Sequence, residues 1–197
     1  MSIIRIVGVS GGLSQPSRTT SLVSAVLREL EALAPDPVET SLLEIAQLGP
    51  LFGQYLLRPQ LPAAGEAVLR LIEQAHVIVA GSPVFKGAYT GQFKHLFDMI
   101  DYDALRDVPV VLVATGGSDR HTLMTDHALR PLFSFFRAHT VPTSLYATAR
   151  QIDDDARIID DDLQARVSIA AQQALHLRAA PAAREIPTEP TRSHAAP

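Results

Sequence analysis

The chain has 197 residues, 47% hydrophobic and 19% charged, which suits one compact domain with its own core. It contains no cysteine, excluding disulfide scaffolds, Cys-ligated zinc, iron–sulfur clusters and cysteine nucleophiles, and fitting a reducing compartment. With 17 Lys and Arg against 21 Asp and Glu the net charge is −4, so there is no global basic footprint for nucleic acid.

The N-terminus enters Ile3-Ile4-Arg5-Ile6-Val7 without signal-peptide architecture, and no apolar run approaches the ~20 residues of a membrane helix. A cytoplasmic protein with no membrane partner is expected. Ile3 to Val9, a short apolar run rich in β-branched residues, reads as a strand buried on both faces and ended by Ser10-Gly11-Gly12. Leu22, Val23, Val26, Leu27 and Leu30 recur at helical spacing, predicting an amphipathic helix over 18–34 that Pro35-Asp36-Pro37 stops. Val38 to Ile45 alternates as a second strand, and 50–61 reads as loop. Pro62 opens a second helix with Val68, Leu69 and Ile72 on its buried face.

His76 to Ala80 is a third strand, stopped by Gly81-Ser82-Pro83, and a helix follows over 90–100. A fourth strand over 108–114 ends at Thr115-Gly116-Gly117-Ser118, and a fourth helix over 123–138 contains Pro131. A fifth strand over 141–146 and a last helix over 163–177 complete the series. Alternating βα units with Val- and Ile-rich strands imply an α/β fold, a parallel sheet covered by helices on both faces. The alanines, prolines and scattered charges from 179 to 197 lack periodicity and read as a disordered tail, leaving one domain over 1–178.

In an open parallel sheet, ligands bind beyond the carboxyl ends of the strands. Three polar loops leave such ends: 10–19, 81–91 and 115–120. In the first, Gly11 and Gly12 allow a close turn, while Ser14, Ser17, Arg18 and Thr19 bring hydroxyls and a cation to a helix N-terminus suited to a phosphate. A P-loop is disfavoured, because Ser17-Arg18-Thr19 stands where Gly-Lys-Ser/Thr would be and no strand ends in a Mg²⁺-binding Asp. A dinucleotide fingerprint fails on its glycine spacing. A tight turn with an N-cap serine is the plain alternative. In the second loop Pro83 adds stiffness, Phe85 a flat face and Lys86 a positive charge. The third offers backbone N–H groups unobstructed by side chains.

Taken together, Gly81-Ser-Pro-Val-Phe-Lys-Gly-Ala-Tyr-Thr-Gly-Gln-Phe-Lys94, Ala114-Thr-Gly-Gly-Ser118 and His127-Ala-Leu-Arg-Pro131 carry a resemblance. The chain resembles the NAD(P)H-dependent FMN reductases of flavodoxin-like fold, nearest the reductase components of two-component alkanesulfonate and methanesulfonate monooxygenase systems. The resemblance spans roughly 3–177. It implies a three-layer sandwich with a five-stranded parallel sheet of order 2-1-3-4-5. It implies hydride transfer from NADPH or NADH to FMN and release of FMNH2 to a separate monooxygenase. By resemblance, Ser10, Ser17, Arg18 and Thr19 would hold the FMN phosphate. Ser82, Pro83, Val84, Phe85 and Lys86 would line the isoalloxazine, with Thr115, Gly116, Gly117 and Ser118 along its other edge. Phe85 stands where the family usually has tyrosine, so a phenol hydrogen bond is lost there. A homodimer or homotetramer is implied as well.

Pro131 has no N–H, so the carbonyl of His127 loses its helical partner and a kink or π-bulge is expected over 127–131. In the alkanesulfonate relatives an inserted residue, commonly tyrosine, forms a π-helix at the subunit interface, and His127 stands at that position. The alternative is a kinked core helix with a polar histidine. Phe133, Phe135 and Phe136 are too many large apolar groups for a solvent-facing helix and point to an interface as well as core. Asp153-Asp154-Asp155 and Asp160-Asp161-Asp162 read as a solvated acidic rim or helix-start carboxylates. No metal-binding motif or serine-hydrolase elbow occurs. The rival functional class is a flavodoxin-type electron carrier; a quinone or azo reductase on the same fold differs only in its acceptor.

Overall fold

The computed structural model describes residues 3–179. Strands β1 (Ile4–Ser10), β2 (Val38–Glu44), β3 (Val77–Pro83) and β4 (Pro109–Thr115) are each seven residues long. Two short strands, β5 (His139–Thr140) and β6 (Leu145–Ala147), pair with the start and end of β4. Every pairing is parallel, in the order β2-β1-β3-β4-β5. This is the flavodoxin-like arrangement, with the reversal of strand order between β1 and β3. The single fifth strand expected over 141–146 is thus two pieces. Pro142 lies between them and has no N–H to give to a ladder.

Residues at alternate positions along each central strand face opposite layers, and both are apolar. Val77 and Val79 meet α1 (Arg18–Leu33) and α6 (Asp161–Ala179), which supply Leu22, Val26, Leu30, Val167 and Ala171. Ile78 and Ala80 face the other layer, where α3 (Ala63–Glu73), α4 (Gly91–Asp98) and α5 (Arg130–Phe135) supply Leu69, Ile72, Phe93, Phe97 and Phe133. The Phe97 ring stands edge-on to Phe133 at 5.0 Å and 4.8 Å from Phe93. Emptying that position by Phe97→Ala would cost about 3–5 kcal/mol.

Two features depart from the sequence reading, around 45–60 and at the end of the last helix, while the disturbed turn expected before Pro131 is present. The first three residues of the loop expected over 50–61 belong to α2 (Ile45–Phe52), which Pro50 does not prevent; a 3-10 turn at Arg58–Gln60 follows. Burial of Ile45 and Phe52 holds this short helix in place despite the missing donor. The fourth helix is composite, a π-helical turn at Thr125–Leu129 running into α5, with the Arg130 N–H reaching five residues back to the Thr125 carbonyl. Of its phenylalanines, Phe133 and Phe136 are core, whereas Phe135 is exposed and packs edge-on to Tyr102. Finally, Ala179 is the last residue of α6, and the rest of the expected tail, 180–197, lies outside the described residues.

Candidate active site

Beyond the carboxyl ends of β1, β3 and β4 lies an open cleft of about 540 Å³, lined by residues of all three predicted loops. That volume is in the range of small-molecule sites. Its floor is the start of α1. Ser17 caps the helix by accepting the Thr20 N–H at 3.2 Å. The N–H groups of Arg18 and Thr19 have no partner among the described residues. They carry the positive end of a sixteen-residue helix. Gly12 is required here, because a Cβ at that position would overlap the Ser17 hydroxyl.

The loops are tied to one another. The Thr19 and Thr115 hydroxyls share a hydrogen bond. The Val84 N–H donates to the Thr115 carbonyl at 2.8 Å, and the Gly116 N–H to the Ala147 carbonyl at 2.9 Å. Phe85 and Ala88 bond to each other's backbone across a two-residue turn in which Lys86 (φ 53°) and Gly87 (φ 90°) are both left-handed. Two positive φ values make this a type I′ turn, for which lysine is an unusual first residue. The turn projects the Phe85 ring at the cleft, 50% exposed.

Nine of the thirteen binding residues expected from sequence line the cleft: Ser17, Arg18 and Thr19; Pro83, Val84 and Phe85; Thr115, Gly116 and Gly117. The other four do not. Ser10 is buried, its hydroxyl paired with Thr20 at 2.8 Å and accepting the Gly12 N–H, so it shapes the loop from behind. Ser82 is likewise buried, donating to the Pro83 carbonyl and accepting the Thr90 N–H. Lys86 is exposed on the turn. Ser118 offers its carbonyl to the Tyr146 phenol at 2.6 Å. Burial, reinforced by Asp119, raises that phenol above its usual pKa and keeps it protonated as the donor. Of the backbone donors expected along a ring edge, those of Val84, Phe85 and Gly116 are spent internally. The N–H groups of Gly117 and Ser118 have no partner among the described residues.

A fourth wall was not legible in the sequence. Residues 152–158 form a small hairpin, closed by an Ile152–Ile158 bridge, with Ala156 left-handed at φ 62°. Asp154 and Ala156 line the cleft. Arg18 holds the hairpin, donating from Nε to the Ile152 carbonyl at 3.1 Å and pairing with Asp154. The Asp-rich stretch is a rim, as expected, but one that reaches the cleft. Leu13, Ser14 and Pro16 complete the first loop's contribution. His127 lies in the π-helical turn with its side chain exposed and is not a cleft residue.

The family model of NADPH-dependent FMN reductases matches residues 4–153, which include all three loops. The chain belongs to this family. It is 47% identical over 174 residues to the NADH-dependent FMN reductase SfnF of Pseudomonas fluorescens, covering 88% of this chain and 91% of that one. Its identity to an FMN reductase (NADPH) of Pseudomonas aeruginosa is 45% over 176 residues, covering 89% and 93%. An oxidoreductase from Corynebacterium diphtheriae superposes with a TM-score of 0.76 at 31% identity, covering 89% of this chain and 96% of that one. The protein is an NAD(P)H-dependent FMN reductase, and FMN and a reduced nicotinamide dinucleotide are its cofactors. The cleft suits FMN. It offers a dipolar helix start with N–H groups unpaired among the described residues for a phosphate, a half-exposed ring for a heterocycle, and the Gly117 N–H at its far edge.

Proposed function

We propose that this FMN reductase treats flavin as an exchanging substrate and delivers FMNH2 to a separate monooxygenase, as the sequence resemblance implies. The supporting observation is that, among the described residues, Phe85 is the one aromatic lining the cleft. A single ring stacks on one face of a flavin and leaves the other open to a nicotinamide, giving less buried area than a two-sided clamp. In this reading the Arg18 and Thr19 N–H groups and the Ser17 cap hold the phosphate, while Pro83, Val84 and Phe85 set the ring plane. Thr115, Gly116 and Gly117 border the ring's other edge. When bound, the flavin accepts a hydride from the nicotinamide, so orientation and charge are what the protein contributes, with no side-chain acid or base in that step.

The test is oxidation of NADPH or NADH by flavin-free protein while FMN is added from zero. Saturable dependence on free FMN supports exchange. Protein that stays yellow through gel filtration and ignores added FMN would instead be a tightly loaded carrier or a quinone or azo reductase. A homo-oligomer built around the π-helical turn is part of the same reading. Leu123 and Phe135, both about 60% exposed, flank His127 on that segment and present apolar surface there. Sedimentation equilibrium of the wild type and of Phe135→Lys tests it, dissociation being the expected result.

A further inference from the structure

On the far side of the 152–158 hairpin lies a second cavity, about 430 Å³, whose chemistry differs from that of the flavin cleft. Ser21, Ser24 and Arg28 line it from α1, Arg157 from the hairpin and Gln164 from α6, while Ala156 lines both cavities. Ser21, Ser24 and Arg28 recur at the three- and four-residue spacing that puts side chains on one helix face. Arg28 makes no ion pair among the described residues, and Arg157 has only a weak one with Asp155, at 3.9 Å. The remaining carboxylates on these elements do not line the cavity. Glu31 is bonded to Thr40, Asp160 accepts the Leu163 N–H, and Asp153 accepts the Arg157 N–H. The cavity is therefore a cationic, hydroxyl-lined recess separated from the flavin cleft by one hairpin.

We propose that this recess binds the phosphorylated adenosine end of the pyridine nucleotide, with Arg28 and Arg157 paired to its 2′-phosphate. This rests on the adjoining cleft being the flavin site. Ala156 is the lip that the two cavities share, over which the diphosphate of a dinucleotide with its nicotinamide on the open flavin face would pass. The adenosine then falls along the exposed face of α1, where Arg28 stands about 15 Å along the helix axis from Arg18. Two guanidinium groups and two hydroxyls suit a doubly charged phosphomonoester, and guanidinium recognises its oxygens in pairs. The recess thus favours NADPH over NADH.

The probe is adenosine 2′,5′-bisphosphate, titrated by calorimetry into flavin-free full-length protein, with adenosine 5′-monophosphate and inorganic phosphate as controls. Saturable binding of the bisphosphate, at least tenfold tighter than either control, is expected. Arg28→Ala and Arg157→Ala should each weaken it by about tenfold to a hundredfold, the loss expected for a charge-assisted hydrogen bond. Arg28→Lys should recover part of the loss. FMN affinity, followed by flavin fluorescence, should be unchanged in Arg28→Ala, and the bisphosphate should not displace FMN. Equal binding of bisphosphate and inorganic phosphate, displacement of FMN, or indifference to both substitutions would each overturn the proposal. Failure of wild-type protein to bind FMN would overturn the reading of the cleft, and is read separately from nucleotide binding.

Discussion

The hydroxyls of Thr19 and Thr115 lie 2.6 Å apart, joining residues 96 positions apart in the chain. One sits in the first turn of α1, the other at the last residue of β4, and both are buried. Their bond fixes the helix start against the 115–117 side of the cleft, so the proposed phosphate and ring contacts would be held in one frame. Thr19→Val leaves the Thr115 hydroxyl buried without this partner and should cost about 1–3 kcal/mol. Thr115→Val should cost a similar amount. The double substitution should cost clearly less than the sum, because the orphaned group is gone. Urea denaturation of the four proteins measures that coupling.

Gly116 packs under the Tyr146 ring, and a Cβ there would overlap the phenol oxygen. Gly116→Ala should therefore push Tyr146 off the Ser118 carbonyl and weaken FMN binding by at least tenfold. Adding Tyr146→Phe removes the overlapping oxygen, leaving Cζ at 3.0 Å as the nearest atom. Flavin affinity should then recover in part. No recovery would mean that the loop fails for a reason other than this collision.

Arg18 faces two demands, the hairpin at Ile152–Asp154 and the charge of a ligand in the cleft. Arg18→Ala should raise the FMN dissociation constant about tenfold or more while changing turnover at saturating FMN much less. Asp154→Asn should do the opposite and tighten FMN, since a competing carboxylate is removed. Riboflavin, which has no phosphate, should bind both variants almost as it binds the wild type. Fluorescence titrations with the two flavins separate phosphate anchoring from general damage to the site.

His76 accepts the Arg5 N–H at Nδ1, 2.9 Å away, so that nitrogen must be unprotonated. Burial first, then the charges of Arg5 and Arg178, lower its pKa below the usual value of 6.5. The unfolded chain therefore binds the proton more readily than the native protein. The stability that follows is fully present above about pH 6.5, and it is lost as pH falls toward the native pKa. His76→Gln keeps an acceptor for Arg5 without a titrating ring. Its melting temperature should fall less steeply between pH 7 and pH 5 than that of the wild type.

The strands were legible because Ile4–Val9, Val77–Ala80 and Val110–Ala114 are apolar on both faces and end in glycine, serine or proline. The cap at Ser17 and the disturbed turn before Pro131 were equally readable, each being local chemistry. The wall formed by 152–158 was not. Its place at the cleft depends on a contact between Arg18 and Ile152, 134 residues apart, and on a left-handed Ala156 that composition does not announce. Helix α2 was missed because Pro50 argues locally against a helix that the burial of Phe52 stabilises. Ser10 and Ser82 sit in the right loops, yet the direction of a serine hydroxyl is set by neighbours such as Thr20 and the Thr90 N–H.

The two margins of the sheet are unequal. β2 runs seven residues beside β1, with Glu39 and Glu44 on it, whereas the opposite margin is broken between Thr140 and Leu145. A margin of two and three residues is too short to template another strand, and glutamates discourage it on the other side. Growth of the sheet from molecule to molecule is thus blocked at both borders. The strand ends that build the cleft are therefore not drawn into edge pairing with a second molecule.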